Sequence, residues 1–440
     1  MLRRILHRFL RLTPRATPPP PAGPMAIAGN AAAALLAAGA VKLTPPRLGG
    51  DAADGSRATV TLAAVGAPDT RLLAVVAVVA ARDGPARLRL LRADGAVADE
   101  LHCPPGTGHC ALTLFAAPEP GLTLEIVAEG PSARMHCDSV ALWALGPRAV
   151  DPAALVPNVA LAPDPHWTRA YGLPDALDTA ARLRVRAFVL MDRPALVTLL
   201  DDVKLFLEPG DELSRALLIS GLYEPETLLA VRALLPPGGV CVDVGAHCGM
   251  VTAFAARCVG PQGRVLAFEP SPREFARLQG NVAAGGLAQV TTRQAAVAEA
   301  EGVVTLRLAE AGHAGHNTIG SAFAYEGVAV AELAQVPATT LDAALASLES
   351  CDLIKMDIEG AELRALRGGA AVLARLRPTL ILEVFDRAMA GSGDTEAELF
   401  AWLAEHGYAA RDIDPATGRF DAPAGPSPGV SRNIVAVPVR

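Results

Sequence analysis

Two kinds of apolar patterning divide this 440-residue chain. Between 55 and 147 the apolar runs are short: 71–79, 87–91, 122–127 and 140–145 are separated by Gly, Pro and Asp-Gly breaks such as Asp94-Gly95. No helical spacing interrupts them, and short strands with frequent turn residues predict a β-sandwich. From 175 onward, segments with helical spacing alternate with continuous apolar runs. Residues 196–205 read as a strand pair or a bent strand, and 211–220 and 225–235 as helices, with Asp211 placed to cap the first. Helical patterns follow at 273–282, 340–348, 362–375 and 395–405. Residues 239–270 read as a buried strand, a glycine turn, a helix and a second buried strand, and further strand patterns lie at 289–297, 303–308, 331–337, 351–362 with its acids at the C-terminal end, 378–384 and 431–437. Runs that are apolar throughout, alternating with helices, predict a mainly parallel, doubly wound α/β sheet. The implied organisation is a basic, Pro-rich tail at 1–24, a β-sandwich-like accessory domain at 25–150, a linker and substrate-side segment at 151–235, and the α/β domain at 236–440.

In an open sheet of this kind ligands bind beyond the carboxyl ends of the strands. Candidate chemistry gathers there. The turn Asp243-Val-Gly245-Ala246-His247-Cys248-Gly249 follows one buried strand, and Glu269-Pro270 ends the next, 26 positions after Asp243. Glycines allow a tight turn with close backbone approach, and a carboxylate at the next strand tip can accept both hydroxyls of a ribose. A dinucleotide fold writes this turn G-x-G-x-x-G to hold a pyrophosphate. G-x-x-x-G after an acid suits adenosine without pyrophosphate, meaning S-adenosylmethionine. An ordinary tight βα turn is the bland alternative.

Further along, Lys355, Asp357, Glu359 and Glu383 cluster at strand ends. Methyl transfer from a sulfonium needs a nucleophile placed in line, and a hydroxyl nucleophile must lose its proton. Lys355 and Asp357, two apart on a strand, share a face, so Asp357 is a candidate base with Lys355 orienting it or the acceptor. Asp357, Glu359 and Glu383 could instead hold a divalent cation through oxygen, an arrangement ranked below the metal-free one. Single acids capping helices are the alternative for each. His247 reads as a packing or hydrogen-bonding residue, and His313 and His316 as alternative bases or solvated loop residues. Tyr223, Glu224, His166 and Trp167 are candidate acceptor contacts.

Composition narrows the partners. The apolar fraction is 51%, swollen by alanine, and net charge is −7. Lysine occurs only as Lys42, Lys204 and Lys355, and no basic stripe with aromatics is present, so nucleic acid is not expected. The segment MLRRILHRFLRL is basic and amphipathic, but the Ala-rich run 25–41 is too short and weakly apolar to span a bilayer. Neither a signal peptide nor a transmembrane helix is expected, and the chain is placed in the cytoplasm. Of seven cysteines, Cys241, Cys248, Cys258 and Cys351 fall in the α/β part and read as buried thiols in a reducing compartment. The pairs His102-Cys103, His109-Cys110 and His136-Cys137 would split across strand faces, against a zinc site.

The runs DVGAHCGMVT, AFEPSPREFARLQGN, TTLDAAL, DLIKMDIEGAELRALRGG and PTLILEV, with GLYEPETLLAVRALLPPGG before them, resemble the FkbM-type methyltransferases over about 195–437. The resemblance implies a seven-stranded class I methyltransferase sheet. It also implies an S-adenosylmethionine-dependent O-methyltransferase acting on sugars, glycans or polyketide-type metabolites. By position it implies that Asp243, Gly245 and Gly249 line the cofactor and Glu269 holds the ribose, while Asp357 and Glu359 face the reaction centre. Ala246, His247 and Pro270, beside them in the same turns, complete the candidate cofactor-binding residues. His247 stands where the family usually has Asn. The sandwich lies outside the resemblance. Two other functions stand beside this one. The first is a nicotinamide enzyme on the same sheet, disfavoured by the missing G-x-G-x-x-G. The second is a glycan-binding or tethering protein with a degenerate α/β domain.

Overall fold

The computed structural model describes residues 35, 41–43, 50–53, 57–62, 70–82, 86–103, 110–120, 122–129, 134–146, 150–156, 179–415 and 417–439. They fall into two compact units. One comprises the described residues up to 156 with 179–192 and 218–220; the other comprises 193–217 and 221–439.

The first unit is built on antiparallel pairing. One sheet centres on the long strands Leu72–Arg82 and Arg134–Leu145, flanked by Val41–Leu43, Gly50–Ala53 and Cys110–Ala116. A second orders Arg57–Thr61, Thr123–Ala128, Ala86–Leu91 and Val97–Cys103. Alternation sets the buried face: Leu88 and Leu90 point inward while Arg87 and Arg89 meet Glu100 on the other side. Helix Thr179–Val189 belongs to this unit and ties to it through Arg186, 2.7 Å from Asp99. His109 and the side chains of His102, Cys103, Cys110, His136 and Cys137 lie outside the described residues, as do the tail at 1–24, His166 and Trp167.

The second unit holds a seven-stranded sheet. We label its elements β1 (Val240–Val244), α1 (Met250–Val259), β2 (Arg264–Phe268), α2 (Pro272–Gly285) and β3 (Val290–Arg293). An excursion follows: β4 (Ala296–Val297), β5 (Gly302–Ala309) and β6 (Val330–Thr339), then α3 (Leu341–Ala344). The sheet resumes with β7 (Leu353–Met356), α4 (Glu362–Arg367), α5 (Ala370–Leu376) and β8 (Thr379–Val384). It ends with α6 (Asp386–Ser392), α7 (Glu396–Glu405), β9 (Tyr408–Asp412) and β10 (Arg432–Pro438). Strand order is β3-β2-β1-β7-β8-β10-β9. Pairing is parallel from β3 to β8 and antiparallel around β10. β1 and β7 are neighbours although about a hundred residues separate them, so the winding reverses between their carboxyl ends. Val242, Val244, Leu266, Phe268, Ile354, Met356, Leu380 and Leu382 form the core, buried on a sheet covered on both faces.

Several local outcomes differ from the sequence expectation. The stretch 289–297 splits between two sheets, β3 and β4. The expected helix 340–348 is only the four residues of α3, capped by the Thr340 side chain. The expected helix 362–375 is two, broken at Gly368-Gly369, where a Cβ on Gly369 would lie 2.7 Å from Leu341. Strand β9, YAARD, has no apolar alternation to announce it and is placed by pairing with β10. Residues 196–205 resolve as a hairpin, Ala195–Thr198 with Lys204–Leu207, whose turn places Asp201 and Asp202 at positive φ. Asp211 caps helix Glu212–Ser220 by accepting from Ser214 N–H at 2.9 Å. Among the described residues no helix is long and apolar enough to cross a membrane.

Candidate active site

The turn after β1 is locked on three sides. Gly245 and Ala246 donate their N–H groups to the Phe268 carbonyl at 3.0 and 2.9 Å, tying the turn to the end of β2. Gly245 has φ 79, and a Cβ there would collide with the Asp357 carbonyl oxygen and come within 2.9 Å of Ile358. The space left by the missing side chain is therefore filled by the end of β7. Gly249, φ 92, begins α1, and its Cβ would meet Leu278 of α2 at 2.6 Å. Both glycines are required by the chain's own packing at the point where β1, β2 and β7 converge.

Glu269 lies just past β2 and is 5% exposed. Its two oxygens accept from backbone N–H groups, Oε2 from His247 and Oε1 from Ser271, each at 2.8 Å. Burial pushes the carboxyl up to about 7, against the pull of those two donors. Each oxygen keeps a second acceptor direction, which is what two vicinal hydroxyls require. Pro270 follows, and Ser271 caps α2 with Pro272 in its first turn. Asp243, fully buried, accepts from the Thr252 hydroxyl at 2.5 Å through Oδ2, while Oδ1 has no hydrogen-bond partner. A buried carboxylate oxygen left unmatched is costly, so it is a place where a ligand cation or donor completes the structure. This half-satisfied acid and the clamped Glu269 fit an amino-acid nucleoside.

His247 sits at φ 51 with Nε2 3.3 Å from Glu274, and burial lowers its pKa. Arg277 joins Glu274 at 2.7 Å to Asp211 at 3.3 Å, so His247 borders a buried network linking α2 to the cap of helix Glu212–Ser220. Asn281 is the site residue that sequence reasoning missed. It donates to the Cys248 carbonyl at 2.7 Å and accepts from Phe206 N–H at 2.8 Å, fastening the glycine turn to the preceding hairpin. The only signal was its place at the end of the run AFEPSPREFARLQGN.

The second half of the site lies beyond β7. Lys355, its side chain 5% exposed, reaches Asp357 at 3.2 Å, as two residues on one strand face should. Burial works against the charge on Asp357, but the charge and hydrogen bond of Lys355, helped by Glu383 and His247, together hold the carboxyl below its usual range; 29% of the Asp357 side chain remains exposed. Glu359 joins the cluster from outside the strand. β7 has already ended, and Glu359 turns back in a left-handed conformation, φ 51. Glu362 supports that turn by accepting from Ile358 N–H at 2.9 Å and Gly360 N–H at 3.4 Å. Asp357, Glu359 and Glu383 thereby bring carboxylate oxygens within 4.8 Å of one another. Burial and then the charges of Asp357 and Glu359 push Glu383 well above the carboxylate range; it also accepts from the Ser431 hydroxyl at 2.9 Å. Glu224, at φ 46, is raised to about 8 by burial and then by Asp357, and accepts from Asn433 at 3.0 Å. Tyr223 is 38% exposed, yet Glu224, Asp357 and Glu383 all act electrostatically on its hydroxyl.

His316 is not a solvated loop residue. It is 6% exposed, with Nδ1 3.2 Å from Glu359 and its ring 4.3 Å from that of Tyr325. His313, on the same turn, is partly exposed and lies 3.4 Å from Glu212.

Residues 243–410 match the family model for the methyltransferase FkbM domain. Solved structures similar to the chain include a methyltransferase FkbM from Methylobacillus flagellatus KT, 15% identical, covering 51% of this chain and 55% of that one with a TM-score of 0.29. A precorrin-6y C5,15-methyltransferase from Geobacter metallireducens GS-15 is 16% identical, covering 49% and 88% with a TM-score of 0.27. A SAM-dependent O-methyltransferase from Thermotoga maritima is 13% identical, covering 50% and 66% with a TM-score of 0.28. No curated protein matches the sequence.

Proposed function

Residues 243–410 belong to the methyltransferase FkbM domain family, and from that premise we propose that this S-adenosylmethionine-dependent methyltransferase acts on a hydroxyl of a sugar, glycan or polyketide-type metabolite. The observation that carries the proposal is the pairing of two different acid sites on adjoining strand ends. Glu269 and Asp243 flank the turn that packs on Asp357, and Asp357 opens the acidic cluster with Glu359 and Glu383.

S-adenosylmethionine, when bound, supplies a methyl group activated by a sulfonium. The chain's own residues divide the remaining work. Asp243 and Glu269 hold the amino-acid and ribose ends. Asp357, kept ionised by Lys355, accepts a hydrogen bond from the acceptor hydroxyl and then its proton. Glu383 and Glu224, kept protonated by burial and their neighbours, donate hydrogen bonds to acceptor oxygens. Three carboxylates this close cannot all carry charge cheaply, so the cluster is built to hold a shared proton. Tyr223 borders the same cluster as an acceptor contact. A metal-free site is favoured over one holding a divalent cation, because Lys355 already supplies the compensating charge.

The acceptor is a small molecule or glycan rather than nucleic acid, in keeping with the net charge of −7, and the enzyme neither enters a membrane stably nor leaves the cytoplasm. Unpaired Cys241, Cys248, Cys258 and Cys351 support a reducing compartment. Incubating extracts with the protein and a methyl-labelled donor, followed by mass spectrometry, tests the reading. Label on a hydroxyl oxygen of a polyol or polyketide supports it; label on nitrogen, sulfur or carbon overturns it.

A further inference from the structure

Outside the strand-end acids, a second cluster of metal-ligating side chains lies on the excursion between β5 and β6. The 3-10 turn Ala311–His316 carries His313 and His316 three residues apart, the spacing at which side chains on a three-residue turn fall on one side. Although His313 is kinked out of regular geometry, the two rings stand 6.2 Å apart and within 26° of parallel. Glu212, first residue of helix Glu212–Ser220, approaches from the facing element, with His313 Nδ1 3.4 Å from its carboxylate. The turn fits closely against the segment leading into that helix, since a Cβ on Gly312 would lie 3.1 Å from the Gly210 carbonyl. Nδ1 of His313 is buried and makes no hydrogen bond, even to the carboxylate beside it.

We propose that Glu212, His313 and His316 bind a divalent transition metal, with zinc the best match, that pins the 311–316 turn to the start of helix Glu212–Ser220. One donor atom from each residue lies within 4.8 Å of the others. Tetrahedral zinc draws its ligand atoms to about 3.4 Å apart, a closure of up to about 1.4 Å that the partly exposed Glu212 and His313 side chains can make. Two imidazoles and a carboxylate select zinc-like ions over magnesium or calcium, and three protein ligands leave a fourth position for water. Glu359, 3.2 Å from His316 Nδ1, is the carboxylate that fixes the ring, as metal-bound histidines require. The site shares no ligand with the oxygen-only cluster of Asp357, Glu359 and Glu383, and touches it only through Glu359.

The test uses the full-length, tag-free protein stripped of metal, titrated with CoCl2 under visible absorption and with ZnCl2 against a chromogenic chelator. One equivalent should bind with the spectrum of a four-coordinate nitrogen-containing site. His313→Ala and Glu212→Gln should each weaken that equivalent by about 100-fold or more, beyond the loss of an outer-shell partner, while Glu383→Gln should leave it unchanged. Absence of stoichiometric binding overturns the proposal. So does affinity unchanged in His313→Ala and Glu212→Gln, or affinity lost in Glu383→Gln instead. The readout is metal alone and stands whether or not the proposed methyl transfer is right.

Discussion

The backbone N–H of His247 donates to the carboxylate of Glu269 at 2.8 Å, so the turn after β1 and the acid after β2 form one rigid piece. A substitution at either residue disturbs the other, and the carboxylate proposed to hold the ribose is oriented before any ligand arrives.

That carboxylate titrates near neutrality. With its pKa raised to about 7 in the fold from an ordinary 4.5, Glu269 binds more protons folded than unfolded between those values. Its contribution to stability is therefore present below the ordinary pKa and lost as pH rises through about 7. Ligand hydroxyls favour the ionised form, so affinity for S-adenosylhomocysteine should run the other way, rising with pH through the same window and levelling above it. Calorimetric titrations across that range check this. A flat profile, or affinity that falls with pH, would contradict the assignment of Glu269.

Gly245→Ala should damage the fold before it damages chemistry. The Cβ adds left-handed strain to a collision with the backbone of β7, together about 3 kcal/mol or more. In a domain of this size that lowers Tm by roughly 6–12 °C. Thermal melting reads it, and a variant that melts like the wild type would mean β1 and β7 are less tightly joined than described.

Lys355→Met removes the cation that keeps Asp357 ionised. The carboxyl then titrates higher, so the acid limb of the kcat/KM profile should move to higher pH, with activity at pH 7 falling about 10²-fold or more. A uniform drop with an unshifted limb would assign Lys355 to structure alone.

The placement of the candidate site at the strand ends was legible because it is local. Apolar strands, a glycine turn and an acid at a strand tip are written in consecutive residues, and each of Asp243, Gly245, Ala246, His247, Gly249, Glu269, Pro270, Lys355, Asp357 and Glu359 lies at the carboxyl edge of β1, β2 or β7. What was illegible depends on distant partners. Asn281 matters because Cys248 and Phe206 come to it, His316 is buried because Glu359 and Tyr325 enclose it, and Gly245 is needed because β7 passes there. Gly368-Gly369 broke a helix whose periodicity looked continuous, for the same reason. Nothing in a single sequence announces which strand ends will meet.

The most direct test of the account is calorimetric titration of S-adenosylhomocysteine into the wild-type protein and Glu269→Ala. The wild type should bind with measurable heat, and the variant should lose about 10–150-fold in affinity, the worth of charge-assisted hydrogen bonds to ribose. No heat with the wild type, or equal affinity in Glu269→Ala, would contradict it.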